Sequence, residues 1–415
     1  MSTSNRRKKS LVSLLLIFTL VYIYGFFFLI PIPTLTRGII FSYSPIVLAC
    51  LVALIISNTK SVKEIKAQQD SVSFRSPIVA YIILNVVSLS YLLIYKGITD
   101  QTVFTGFSNA LCVIIYFVLY DAYSRLQINV WKIFNIVSVL AILIIGFQIL
   151  LADKSNHMIL NSYDLANLGY RDGYRVTFFD SLILIFIFNN FICFMNKFQW
   201  RRLLFSFVGL LFIIFISQTR SVLLIAFLGI LATYILKTSE QAVTEKKVSF
   251  FSLATFIPFI VVSIFMIVAI FTQLYEPIKD GTYINDGSYF ARLGEISYYW
   301  DAIKVNPLFG LGNFSVTPGS IFWQQVHGIT GYFYTLDIGL LGDTARLGIF
   351  IVVIFLWIVG LILIRHKGRR LSYEFVGYFV FFLFALGNYS LFTNGTALGL
   401  LLFFVTYHKY LGEVN

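Results

Sequence analysis

The chain is patterned as long apolar blocks separated by short polar stretches. Windows of about twenty apolar residues, the length of helix that crosses a bilayer, fall at 11–30, 39–56, 77–95, 102–123, 133–151, 177–195, 203–217, 221–237, 248–271, 346–364, 373–387 and 397–411. Within each block the apolar residues run on without the alternation of a barrel strand, so each reads as a helix. The pattern predicts about twelve spans. One interval breaks the rhythm. Between the ninth and tenth spans lie roughly seventy residues, Thr272 to Ala345, far longer than the other connections. Insertions of this length on a rigid scaffold are where function concentrates.

Inside that insertion Ser288 to Lys304 reads as a helix. Tyr289, Leu293, Ile296, Trp300 and Ile303 recur at helical spacing and form one apolar stripe, and Asn306-Pro307 ends it. Such a helix either lies on the membrane face with its aromatic side at headgroup depth or is a plain packing helix. Arg292 sits beside the stripe.

Composition agrees with the pattern. The chain is 58% hydrophobic and 12% charged, with a mean hydropathy of +0.84. A soluble domain has too little interior to hide that much apolar surface. Lipid can accept it when helices close their own backbone hydrogen bonds. The expected fold is an all-α polytopic membrane protein, one membrane domain over 1–415 with residues 272–345 as an external loop.

The net charge of +12 is a topology signal rather than a nucleic-acid patch. The basic residues gather in alternate connections: Arg6 to Lys9; Lys60, Lys63, Lys66 and Arg75; Arg125 and Lys132; Lys197, Arg201 and Arg202; Lys237, Lys246 and Lys247; Arg365 to Arg370; and Lys409. The positive-inside rule then puts both termini in the cytoplasm and the long loop outside. The block at 11–30 is too long for a signal-peptide core and no small-residue cleavage site follows it, so a retained first span is expected. Cys50, Cys112 and Cys193 lie inside spans without metal-ligand spacing and are expected to be small packing residues.

Four arginines run against this bias: Arg175, Arg220 in the tight connection Ser217-Gln-Thr-Arg-Ser, Arg292, and Arg346 at the start of the tenth span. A guanidinium near hydrocarbon costs a few kcal/mol unless it is paired or wet. One explanation is snorkelling, or pairing with Asp172, Asp180, Glu295 or Asp343. The other is a diphosphate, whose oxygens match the guanidinium fork. Arg220 is the strongest candidate, because its turn is too short to let it drift. No Asp-x-Asp pair stands in an external position, so arginines would neutralise the phosphates, with no metal and no cofactor expected. His327 titrates in the range useful for proton transfer, or is simply a solvated loop residue. Asp337 is placed to act as a base, to orient a sugar hydroxyl, or to cap the next helix.

These pieces resemble, in order, the O-antigen polymerase/ligase superfamily. Ser217-Gln-Thr-Arg-Ser-Val-Leu-Leu is similar to the family's Ser/Thr-Arg-Ser/Thr element. Ala291-Arg-Leu, Trp300 and Asn306-Pro-Leu-Phe-Gly-Leu-Gly resemble its Arg…Trp…Asn-Pro-Leu-x-Gly-x-Gly loop signature. His327 followed by Asp337-Ile-Gly-Leu-Leu-Gly is similar to its His…Glu-x-Gly-x-x-Gly segment, with Asp in place of Glu and a longer interval. Gly173-Tyr-Arg-Val-Thr-Phe is a fainter match. The likeness spans roughly residues 170–365.

The resemblance implies a GT-C-like membrane fold and a metal-independent glycosyltransferase. Its donor would be a growing glycan on undecaprenyl diphosphate and its acceptor another lipid-linked repeat unit, with room for a chain-length regulator as a further partner. The setting would be the outer face of the bacterial cytoplasmic membrane, in O-antigen, capsule or exopolysaccharide synthesis. Arg175, Arg220 and Arg292 would hold the leaving diphosphate. His327 or Asp337 would take the acceptor's proton, and Tyr289, Trp300 and Trp323 would stack on sugars or anchor the loop. The looser His327 segment tilts the expectation toward polymerase over ligase. A flippase or other transporter is the rival class. The absence of a visible repeat and the gathering of charge at one face weigh against it.

Overall fold

A computed structural model describes residues 3–24, 46–56, 74–98, 101–155, 169–170, 174–176, 180–245, 287–314, 323–328, 331, 333–365, 373–387 and 389–407. In chain order the helices are α1 (Thr3–Ile23), α2 (Ile46–Ile56), α3 (Arg75–Ser90), α4 (Gln101–Leu111), α5 (Ile115–Leu126), α6 (Val130–Ser155), α7 (Asp180–Asn196), α8 (Trp200–Phe212), α9 (Arg220–Glu245), α10 (Gly287–Val305), α11 (Trp323–His327), α12 (Gly339–Leu347), α13 (Phe350–Arg365), α14 (Tyr373–Phe384) and α15 (Gly395–Tyr407). A two-stranded antiparallel ribbon, β1 (Gly169–Tyr170) and β2 (Tyr174–Arg175), precedes α7. The predicted ninth span, 248–271, lies outside the described residues. The other predicted spans each overlap a described helix, with 25–30, 39–45, 177–179 and 408–411 lying outside the described residues.

Among the described residues five helices are long and apolar enough to cross a membrane by length and composition, and α2, α7, α13, α14 and α15 contribute shorter apolar helices. Exposure is inverted relative to a soluble protein. On α6 the outward residues are Ile136, Leu140, Leu143, Phe147 and Leu150, at helical spacing, while Asn135, Ser138 and Gln148 are buried. Lipid rewards that arrangement, because an apolar tail costs nothing there and a polar group needs a protein partner. Asn135 Oδ1 duly accepts from Asn189 and Asn190 on α7 at 3.1 Å each, and Asn190 accepts from Arg202 Nη1 at 3.3 Å. The protein is an all-α polytopic membrane protein. Cys112 and Cys193 are buried as expected, whereas Cys50 faces outward among the exposed apolar residues of α2.

The core runs through α7, α8, α9, α14 and α15, and two smaller apolar clusters sit at one end of the bundle. Two single π-turns mark that end. Tyr91–Tyr95 finishes α3 and Ile213–Ser217 finishes α8. Such widened turns recur at functional sites. The second closes on Gln218, whose left-handed φ of +52° reverses the chain so that α9 starts at Arg220.

Candidate functional site

α10 extends the predicted amphipathic helix by one residue at each end. Its apolar stripe does not all pack inward. Leu293, Ile296 and Trp300 are about half exposed, and only Ile303 joins the core; the side chain of Tyr289 lies outside the described residues. The stripe runs toward exposed Val305 and Leu308, and Pro307 accepts the Ile349 N–H at 2.8 Å at the head of α13, itself lined outward by Ile349, Phe350 and Val353. An apolar band continuous with a span is the geometry a headgroup-depth helix needs.

α10 buries Glu295 and Tyr299, while Arg292, one turn before Glu295, is exposed; the three stand at i, i+3 and i+7 from Arg292. Tyr299 is fully buried, and its hydroxyl reaches the carbonyls of Val326 at 2.5 Å and Phe333 at 3.1 Å. It thereby ties α10 to α11 and to the strand of chain after it. The Phe333 carbonyl also lies 2.6 Å from His327 Nδ1. A carbonyl only accepts, so Nδ1 carries the proton and the neutral ring keeps its lone pair on Nε2. Trp323 stacks on the His327 ring at 3.9 Å and Tyr334 meets its edge at 4.9 Å. Burial pushes the His327 pKa below its usual value; the Phe333 bond works against that shift and the Arg346 charge adds to it.

Asp337 sits one turn beyond, in a 3-10 turn over Thr335–Ile338. Asp337 is exposed at the surface, with enough protein crowded around it to desolvate its carboxylate in part. The crowding raises its pKa; Arg292 and Arg175 each pull it back down. Two guanidiniums from distant parts of the chain therefore act electrostatically on one carboxylate. Arg175 also acts on Asp180, which lies within hydrogen-bonding reach of the Ser217 and Thr219 hydroxyls in the turn before Arg220. β2 is fixed against that turn by the Val176 N–H, which donates to Ile216 O at 3.3 Å. Asp337, Arg292, Arg175 and the turn before Arg220 are thus linked electrostatically into one charged group, an arginine row. Trp300 stands outside the row on the outer face of α10, and Trp323 joins it through His327.

Arg346 departs from expectation. It does not open the tenth span; it lies in α12, buried, and the span begins after Gly348 at Phe350. Its Nη2 donates to Phe314 O and its guanidinium lies 5.1 Å from the Phe314 ring centroid. It holds a loop rather than facing a substrate. Asp343 is likewise structural, accepting from the Ser390 hydroxyl and, at 3.3 Å, from the Phe392 N–H.

The glycine-rich motifs turn out to be packing devices. Leu311 and Gly312 donate to Ala345 O at 2.7 Å and Arg346 O at 2.9 Å, clamping the Asn306–Gly312 segment on α12. Asn306 Nδ2 adds a bond to the Tyr91 hydroxyl at 2.6 Å. Gly342 passes so close to Thr335 that a Cβ would lie 1.9 Å from its carbonyl oxygen. Glu295 is the residue that sequence reasoning passed over, weighing it only as an arginine partner. It is 1% exposed, sealed by its immediate neighbours rather than by depth, and its Oε1 accepts the Tyr334 N–H at 3.0 Å. The i, i+3, i+7 spacing with Arg292 and Tyr299 is the signal that would have found it.

Among the described residues no group of three or more His, Cys, Asp or Glu side chains is placed to hold a metal ion. Residues 205–356, which carry the Arg220 turn, α10, His327, Asp337 and α12, match a family model described as O-antigen ligase. No curated protein matches the chain.

Proposed function

We propose that this chain, whose residues 205–356 match a family model described as O-antigen ligase, is a membrane glycosyltransferase that polymerises undecaprenyl-diphosphate-linked repeat units. The work is done at the outer face of the bacterial cytoplasmic membrane, with both termini inside and residues 272–345 as the external loop of a single membrane domain. The observation that carries this reading is that Arg292 and Arg175 both act electrostatically on Asp337, and that Arg175 also acts on Asp180 next to the turn before Arg220.

The acceptor's sugar hydroxyl attacks the anomeric carbon of the donor, and the lipid diphosphate leaves with the bonding pair. Arg175, Arg220 and Arg292 neutralise the charge that develops on the diphosphate. Asp337 keeps two guanidiniums aimed at one point until the diphosphate takes its place. His327 Nε2 takes the hydroxyl's proton, since its Nδ1 is committed to Phe333. Trp323 holds the imidazole plane, and Trp300 and Tyr289 lie on the helix that meets the headgroups. The scheme uses no metal.

The test is chain growth by purified protein from lipid-linked repeat units with a chelator present. Longer glycans on the carrier support the reading; no extension under any metal condition refutes it. The family description favours a second reading, transfer of finished polymer to another acceptor. In cells lacking the protein, single repeat units on the carrier mark a polymerase and accumulated long polymer marks a ligase.

A further inference from the structure

Glu295 has two carboxyl oxygens with different fates. Oε1 accepts the Tyr334 N–H at 3.0 Å, and Tyr334 O in turn accepts the Asp337 N–H at 3.2 Å. Glu295 therefore pins the turn that presents Asp337. Oε2 is buried and has no hydrogen-bond partner. Glu295 faces Arg292 and Tyr299 from its own helix, and Asp337 and the Tyr334 N–H from the segment packed on it. His327 and Arg346 stand one layer further out around Tyr299.

A charged oxygen sealed from water, without a donor and next to a second carboxylate, is far costlier than a neutral one. Resting on the glycosyltransferase reading, we propose that Glu295 is a positioning residue that carries a proton in the resting site. It pins the Asp337 turn and leaves Asp337 as the single negative charge beneath Arg292 and Arg175. The arginine row then keeps an excess of positive charge for the donor's diphosphate. The direction of the Glu295 shift agrees: burial raises its pKa and Asp337 raises it further, against the Tyr334 bond and Arg292. When Glu295 ionises as the pH rises, a second negative charge enters the site and opposes diphosphate binding. The loss falls on the KM for the donor rather than on kcat.

Glu295→Gln separates this role from a merely structural one, because the amide keeps an acceptor for Tyr334 and cannot ionise. The expected result is activity near wild type at the low-pH end of the profile and a rise in donor KM with pH that disappears. Infrared spectra in H2O and D2O should lose the carbonyl stretch of one protonated carboxylic acid. Glu295→Ala removes the acceptor and should lower kcat/KM by about tenfold, the worth of one hydrogen bond of this kind. An unchanged carboxylic-acid band, or a rise in donor KM with pH that survives in Glu295→Gln, overturns the proposal. Should the wild type fail to extend any glycan, the enzyme reading falls while the infrared measurement still decides the protonation of Glu295.

Discussion

His327 Nδ1 and the carbonyl oxygen of Phe333 stand 2.6 Å apart, and that contact decides which nitrogen of the ring is free. The same carbonyl accepts from Tyr299 at 3.1 Å, so the loop helix and the histidine are held by one backbone atom. Burial keeps the His327 pKa below its usual 6.5. A lowered histidine pKa means that the neutral, proton-accepting ring persists below pH 6.5 and is lost only at lower pH. The acid limb of kcat/KM should therefore fall below pH 6.5. His327→Gln should lose activity on the order of 10²–10⁴-fold and its residual rate should lack that limb. A limb that persists in His327→Gln and moves in Asp337→Asn would transfer the base role to Asp337.

Arg292 and Arg175 act on one carboxylate, so their effects should not add. Replacing either with Ala is expected to lower donor turnover by about 10²–10³-fold, the loss seen when one charge-stabilising donor is removed. The double variant should lose much less than the product of the two. Steady-state rates of chain growth across the four proteins measure this. Full additivity would separate the two arginines into unrelated sites.

Arg220→Lys keeps a positive charge on a short turn and loses the planar fork. Polymer formation should be abolished, with membrane insertion and yield unchanged. Carrier-linked glycan on a gel, read beside the amount of protein in the membrane fraction, gives the answer. Full activity of Arg220→Lys would remove the bidentate grip from the scheme.

The glycines around α12 should behave as structural residues. A Cβ on Gly342 would lie 1.9 Å from Thr335 O, and one on Gly348 would lie 1.9 Å from Leu308 O. Gly348 also has a left-handed φ of +80°. Gly342→Ala and Gly348→Ala should each destabilise the protein by about 1–3 kcal/mol. Gly360, with nothing within 4 Å of a built Cβ, is the control. Thermal unfolding in detergent should show a lower midpoint for the first two and none for Gly360→Ala.

Much of the fold was legible because lipid imposes a simple rule on sequence. A span must be a continuous apolar helix, and the windows at 77–95, 133–151 and 221–237 found α3, α6 and α9, with α9 running on to Glu245. The amphipathic helix of the loop was legible for the same reason: a 3.6-residue period is a local property. Its orientation was not. The apolar stripe fitted either the membrane face or a packing face, and the protein leaves Leu293, Ile296 and Trp300 about half exposed and buries Glu295 and Tyr299. In a membrane protein apolar surface has two places to go, and only the tertiary contacts show which one each face takes. Arg346 illustrates the same limit. Its charge marked it as exceptional, but whether it faced a ligand or a backbone carbonyl depended on the Phe314 loop folding back over it.

The sequence by itself determined the class of the protein, the position of most spans, the interrupted rhythm at 272–345 and the short list of unusual cations. Those are consequences of composition and local period, which need no partner. Only the tertiary structure decided that Arg175, placed before α7, and Arg292, on the loop helix, both act on the charge of Asp337. It alone put a buried glutamate behind that carboxylate and committed one nitrogen of His327. Each of these pairs residues far apart in the chain, or turns on which neighbours exclude water, and neither property is written in any local window.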